Sequence, residues 1–584
     1  MSDLTRAAAD VRAAAETQQQ AAVAALAPAY IPACPGAGKT HVITTRHLQS
    51  PARSLRKGRA LISFTRVARD QMASRCRRAG RGDLVQAPHF IGTLDSFLWE
   101  FLVKPLRKAE PACRLLESWA GVKATVQLDR AIPLHQFPLT LDPDPDLPIK
   151  QMEAVAWDRV DYNTARILED SPFSRIDWLD KIIETREPWL EQGYCTGHET
   201  RMLALWCLRS SRASRILPPL LSRFAEVIVD EAQDCSAADL AILELLHQAG
   251  LPLVLVGDPD QAIYAWRGAE PQALQQLAAQ LTGTPVPLTG NWRSSPVICR
   301  LAATLRSGQR APDTPVVSAE EIPVGILPTR FAARGSNHHH APTDESVVDV
   351  FHSLAREYGI DSPDCLVTAH KYATLPGITR EKSNTSPITS LAWARTVAHT
   401  ATASSGDLVR ACTVAVRTLL SYWFPDETGG TDRICAAHDL SASQINRTAF
   451  AFLHSLPAPH KGWAQDVWQA MKAWPAPASA APQNTRGRLA GHPVVTKAAV
   501  TTGLWTNSVY QVKGDQADAV LLMLPDTGSI QRWATGDPAT DEVLRIWYVA
   551  VTRARRLVAL AVHEDETEAL TRLLDRHEIR TRLV

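Results

Sequence analysis

The sequence has no C-x-x-C pair among its ten cysteines. Without that spacing, a zinc ribbon, a cysteine-held iron–sulfur cluster and a disulfide framework have no ligand set, and buried thiols in a reducing compartment are expected. No apolar run reaches the ~18 residues that a membrane-spanning helix needs. The opening stretch, "MSDLTRAAADVRAAAETQQQAAVAAL", carries acids and glutamines where a signal peptide needs an unbroken apolar core. It reads as an amphipathic helix of a cytoplasmic protein. Net charge is only +1, so bulk electrostatics select no polyanionic partner. There is no internal repeat of fixed period, which excludes a solenoid.

What is present points to a large globular chain. Hydrophobic residues make up 45% and charged residues 21%, which excludes wholesale disorder. A chain of 584 residues is too long for one core. Basic residues crowd one stretch, from Arg46 through Arg53, Arg56, Lys57, Arg59, Arg66, Arg69, Arg75, Arg77 and Arg78 to Arg81. Such a run is either a solvated face or part of a nucleic-acid track. The triplet His338–His340 lies in "ARGSNHHHAPTDE", which reads as a solvated loop rather than a metal site.

Short β-branched runs alternate with helical patterns. "AYIPA", "ALISF", "EVIVDEA" and "LPLVLVGD" are the first set; "DAVLLMLP" and "RLVALAVHE", separated by the helix-like "DEVLRIWYVAVTRA", are the second. Apolar strands alternating with helices predict parallel sheets in an α/β fold, here with two cores. Two tracts interrupt the pattern, residues 101–204 and 391–490, and both read as insertions.

Three motifs carry chemistry. The first is "ACPGAGKTH", a P-loop pattern with Ala33 at its first position. Gly36, Ala37 and Gly38 let backbone N–H groups turn onto phosphate oxygens at a helix N-terminus. Lys39 can reach the β- and γ-phosphates, and the Thr40 hydroxyl can ligate Mg²⁺. The second is "EVIVDEAQD", where Asp230 can hold Mg²⁺ and Glu231 can deprotonate an attacking water. The third is "VGDPDQAIYAWRGAE", where Gln261 follows a strand end and can sense a γ-phosphate. Tyr264, Trp266 and Arg267 follow. Aromatics beside an arginine suit stacking on unpaired bases, although composition alone favours a core position for Trp266.

With these motifs in this order, the chain resembles the superfamily 1A DNA helicases of the UvrD/Rep/PcrA type. "ETQQQAAV" resembles the family's Q-motif, with Gln19 at the adenine-reading position. "ISFTRVARDQMASR" and "IGTLDSF" resemble DNA-contacting segments. "GNWRSS", "SVYQVKGDQADAVLL" and "IWYVAVTRA" are similar to motifs IV, V and VI. The resemblance implies an ATP-dependent DNA helicase with ATP and Mg²⁺ as cofactors. It implies two RecA-like P-loop domains, 1A (residues 1–100 and 205–283) and 2A (284–390 and 491–584). Inserted, mainly helical subdomains 1B (101–204) and a reduced 2B (391–490) complete the division. Arg293 and Arg553 then reach the γ-phosphate from 2A, Trp292 stacks on adenine, and Gln516 stands where the family's Glu contacts ribose. Single-stranded DNA runs across both domains, with Phe64, Tyr264 and Trp266 as stacking residues and Thr65, Thr93 and Arg267 near its backbone. Tyr510 and Asp95 replace two histidines of the family's DNA track.

The implied activity is ATP-driven 3′–5′ translocation on single-stranded or tailed DNA. An alternative is the DNA-sensing subunit of a nuclease-containing antiphage complex of the Gabija type, with weak unwinding alone. The short tail after Arg553 makes any such nuclease a separate chain. A third possibility is a P-loop scaffold that binds nucleotide without moving; intact Lys39, Glu231, Arg293 and Arg553 argue against it.

Overall fold

The computed structural model describes residues 3–49, 57–106, 114–116, 119, 122, 124–137, 139–141, 153–155, 157, 160–264, 269–281, 285–307, 313–317, 321–334, 339–342, 346–371, 374–375, 387–400, 405–425, 431–460, 462–480, 505–525 and 528–584. The first set of apolar runs forms β1 (Ala29–Pro32), β2 (Gly58–Ser63), β3 (Phe90–Thr93), β4 (Phe224–Val229) and β5 (Leu253–Gly257). They make one sheet in the order β1-β5-β4-β2-β3, and every pairing is parallel. Ile62, Val227, Val229, Leu253 and Leu255 face one apolar layer; Leu61, Ile228, Val254 and Val256 face another. Burial on both faces is why these strands read as continuous apolar runs.

The second set forms β6 (Val324–Thr329), β7 (Cys365–Ala369), β8 (Trp505–Ser508), β9 (Ala517–Leu524), β10 (Ala554–His563) and β11 (Thr581–Leu583). Their order is β8-β7-β9-β10-β6-β11, again all parallel. Val520, Leu522, Val558 and Leu560 pack on one side, and Leu521, Met523, Ala559 and Ala561 on the other. The chain is therefore an α/β protein with two parallel-sheet lobes.

In the tract between β3 and β4, helices Tyr162–Glu169 and Arg175–Glu191 are accompanied by short strand pairs. Thr125–Gln127 pairs with Ala131–Pro133, and Leu139–Leu141 with Glu153–Val155. Arg114–Leu116 lies parallel to Tyr194–Thr196, so the tract's early and late segments run side by side. Trp119, Val126, Phe137, Trp178 and Ile182 form its own apolar core. The later tract is helical over Pro387–Ala398, Ser405–Trp423, Thr431–Ala437, Ala442–Ser455 and Trp463–Ala473. These helices bury Leu391, Leu419, Trp423, Phe452 and Trp463 together.

Two expectations need correction. His339 and His340 lie in a strand, His339–Pro342, paired antiparallel with Phe331–Arg334, rather than in a loop; His338 lies outside the described residues. The basic run is not wholly a solvated face. Arg46 and Arg59 are buried against Glu226 of β4: Arg59 Nε donates to its Oε1 at 2.8 Å and Arg46 Nε at 2.9 Å. Burial alone raises the Glu226 pKa, but the two guanidinium groups outweigh it and hold the carboxyl below its usual range. Arg53 and Arg56 lie outside the described residues. No helix among the described residues is long and apolar enough to cross a membrane.

Candidate nucleotide site and nucleic-acid interface

The phosphate loop leaves the carboxyl end of β1, where open parallel sheets bind ligands. Ala33 N–H donates to the Gly257 carbonyl at 2.9 Å, which ties the loop to the end of β5. Gly36 and Gly38 have φ of +72° and +83°, in the region that favours glycine. A Cβ on Gly36 would fall 2.5 Å from Asn291 Oδ1 and 2.6 Å from Arg293 Cβ, so the close approach of this segment also requires glycine. Helix α1 (Asp3–Ala24) supplies Gln19, whose Nε2 donates to the Ala37 carbonyl at 2.9 Å. Lys39 and Thr40 open helix α2 (Lys39–Gln49), so the helix's positive end faces the loop.

The acids stand at the end of β4. Asp230 is buried, and its N–H donates to the Ile62 carbonyl at 2.8 Å. Glu231 Oε1 lies 3.8 Å from Lys39 Nζ, and Glu231 has a left-handed φ of 53°. Burial raises the Asp230 pKa, and the neighbouring Glu231 charge raises it further. Burial also pushes Glu231 upward, but Lys39, Lys513, Gln233 and Arg553 together hold it well below the usual carboxylate range. The pair is thus polarised, with the ionised member beside the lysine. Gln261 follows β5; its Nε2 donates to Asp258 Oδ2 at 2.9 Å.

The second lobe reaches into this edge. Arg553 Nη2 donates to Gln261 Oε1 at 3.2 Å, and its Nε to the Val549 carbonyl at 2.9 Å. Tyr548 OH donates to Asp258 Oδ2 at 3.2 Å, and Arg545 Nε to the Ala262 carbonyl at 2.7 Å. Trp292 N–H donates to the Gly36 carbonyl at 3.0 Å, and the Arg12 guanidinium lies 5.6 Å from the Trp292 ring centre. Arg293 Nη1 donates to the Thr552 carbonyl at 2.9 Å, while Arg293 Nε is buried with no hydrogen-bond partner among the described residues. Burial, with Arg553 and Arg555 nearby, lowers the Arg293 pKa to about 9. Lys39 follows the glycine loop and Arg293 packs against Gly36, with Arg553 engaged at the neighbouring Gln261, so three cations stand around this strand edge, a setting that fits an anionic phosphate chain. Asp230 offers a buried carboxyl and Thr40 a hydroxyl, hard oxygen donors of the kind Mg²⁺ takes, although no cluster of three or more His, Cys, Asp or Glu able to hold a metal occurs among the described residues. Gln516 is exposed in the turn between Asp515, whose carbonyl accepts from Arg553 Nη1, and Ala517, whose N–H donates to the Arg553 carbonyl.

Compared with known families, residues 15–140 and 161–282 match the UvrD/REP helicase N-terminal domain. A 314-residue segment is 27% identical to the ATP-dependent DNA helicase Rep of Escherichia coli K12, covering 49% of this chain and 42% of that protein. Within residues 15–282 this chain is similar to the UvrD/REP helicases. DNA helicase II of E. coli is 35% identical over 131 residues, covering 22% of this chain and 15% of its own length. RecBCD enzyme subunit RecB of Mycolicibacterium smegmatis is 41% identical over 88 residues, covering 15% and 8%. The chain's matches span less than half the length of these UvrD/Rep-like relatives.

Three of the residues expected to meet DNA lie at neighbouring strand ends. Ser63 of β2 pairs with Thr93 of β3, so Phe64, Thr65 and Thr93 share the carboxyl edge of the sheet. Phe64 is half-buried against the first lobe's core. Thr65 is exposed and caps Arg66–Arg78; Thr93 caps Leu94–Leu98 in a reciprocal pair with Ser96. Asp95 is engaged by Arg201 at 2.7 Å, and Arg201 also holds Asp239 at 2.6 Å. Tyr264 stands beside Tyr510 with ring centres 6.2 Å apart, and Tyr510 beside His370 at 6.0 Å, so aromatic rings bridge the lobes. Trp266 and Arg267 lie outside the described residues. Reading single motifs missed Asn291, Asp258, Tyr548 and Lys513. The signal for Asp258 was available in "VGDPDQ", at the same strand end as Gln261.

Proposed function

We propose that this chain is a DNA-stimulated ATPase that moves 3′ to 5′ along single-stranded DNA in the cytoplasm and separates duplex strands. The observation that carries the reading is the hydrogen bond from Arg553 of the second lobe to Gln261 of the first, at 3.2 Å. A guanidinium supplied across a seam stabilises transferring phosphoryl charge only when the lobes are together. Hydrolysis and lobe closure are thereby linked, and closure displaces one DNA-gripping surface relative to the other. In this reading Lys39 and Arg293 bind phosphate oxygens, Gln19 and Trp292 hold the base, Gln516 faces the ribose, and Glu231 takes the proton of the attacking water. Thr40 and Asp230 would hold Mg²⁺, which neutralises phosphate charge when bound. Phe64 and Trp266 stack on bases, with Tyr264 beside them, while Thr65, Thr93 and Arg267 contact the backbone. The division into 1A, 1B, 2A and a reduced 2B, at the boundaries given above, belongs to the same proposal.

The segment shared with a protein named as a subunit of the RecBCD enzyme favours a second reading, action as one subunit of a larger complex, for which we propose a separate nuclease chain and an antiphage role. The deciding experiment measures ATP hydrolysis and strand displacement on 3′-tailed, 5′-tailed and blunt duplexes, with and without copurifying chains. The proposal expects hydrolysis to rise with single-stranded DNA and displacement to favour the 3′ tail. Displacement that appears only with a copurified nuclease supports the second reading; hydrolysis indifferent to DNA contradicts both.

A further inference from the structure

Lys513 belongs to the second lobe, just after the short helix Val509–Val512, yet its described partners lie in the first. Its Nζ donates to Asp234 Oδ1 and Oδ2 at 2.6 and 2.7 Å and to the Gln261 carbonyl oxygen at 3.0 Å. It also lies 4.6 Å from the centre of the Tyr264 ring. The Lys513 and Asp234 side chains are only 8% and 5% exposed, so the pair is sealed within the seam. Asp234 ends the 3₁₀ turn Ala232–Asp234 that follows Glu231, and its N–H donates to the Glu231 carbonyl at 2.9 Å. One ammonium group therefore grips the turn that carries the Glu231 carboxylate and the backbone of Gln261. Arg553 holds the other end of Gln261, its side-chain oxygen.

These contacts are short and directional. Parting the lobes by more than a hydrogen-bond length replaces them with water and frees the acidic turn from the Gln261 backbone. We propose that Lys513 is a positioning residue that makes the alignment of Glu231 and Gln261 depend on lobe closure. The inference rests on the reading that this seam turns over ATP, and it adds the link by which second-lobe movement reaches the hydrolytic groups. Lys513 is not assigned a contact with nucleotide; it acts through Asp234 and the Gln261 backbone.

The test compares wild type with Lys513→Met, Lys513→Arg and Asp234→Asn at saturating single-stranded DNA. kcat and KM for ATP are measured together with the affinity for a fluorescent ADP and the interlobe distance from a dye pair. Lys513→Met and Asp234→Asn should each lower kcat by about 10²-fold, as misplacement of reacting groups does. ADP affinity should stay unchanged, the ATP-bound interlobe distance should lengthen, and Lys513→Arg should recover part of kcat. Asp234→Asn serves if Lys513→Met fails to fold. Wild-type kcat in both neutralised variants overturns the inference, as does a fall in ADP affinity that matches the fall in kcat. A wild-type protein inert toward ATP overturns the ATPase reading instead, so the two failures are distinct.

Discussion

In the proposed mechanism Glu231 takes the central chemical step. It adopts a backbone conformation that residues other than glycine rarely hold, at the end of a buried strand and beside Lys39. Its neighbours keep it ionised, which a proton acceptor requires. Glu231→Gln keeps the shape and removes the proton acceptor; kcat should fall at least ~100-fold. Equilibrium ATP binding should survive, as a filter-binding assay would measure, and near-wild-type turnover would remove Glu231 from the mechanism. At this scale the sequence was informative because phosphate binding confines its residues to short windows: Gly36, Gly38, Lys39 and Thr40 lie within five positions. The partners that finish the site are far away in the chain. Arg553 and Gln261 are separated by 292 positions, and Lys513 and Asp234 by 279. No local pattern encodes such a pairing.

Among the elements, α2 joins the phosphate loop to the first lobe's interior. Its His47 is fully buried; Nε2 meets the Leu84 carbonyl at 3.0 Å, and Nδ1 has no hydrogen-bond partner among the described residues. Burial, with Arg59, His89 and Arg81 nearby, lowers its pKa from the usual 6.5 to about 4. The sign follows from linkage: the unfolded chain takes up a proton below 6.5, while the folded lobe resists until about 4. Stability from this residue is therefore complete above pH 6.5 and is lost as pH falls toward 4, up to about 3 kcal/mol. His47→Gln should lessen the acid sensitivity of the first lobe's thermal transition, measured from pH 7.5 to 4; parallel curves for the two proteins would contradict this. The long strands were legible because burial on both faces leaves continuous apolar runs such as Leu253–Gly257. The short pairs of the first insertion, such as Thr125–Gln127 with Ala131–Pro133, were not, because three residues carry no period. The basic run misled for a related reason: Glu226, which buries Arg46 and Arg59, lies 180 and 167 positions away from them.

For the whole molecule, two parallel-sheet lobes meet along one seam, and the proposed motor rests on that seam. Gln261, Asp258 and Ala262 on one side are held by Arg553, Tyr548 and Arg545 on the other. On the proposed function, catalysis is a property of both lobes together rather than of the phosphate loop alone. Steady-state ATP hydrolysis, with and without single-stranded DNA, in wild type and Arg553→Ala, tests this most directly. The account predicts hydrolysis that DNA stimulates in wild type and that falls at least ~10³-fold in Arg553→Ala, the range for loss of an arginine finger, while nucleotide still binds. DNA-stimulated hydrolysis at the wild-type rate in Arg553→Ala would contradict it.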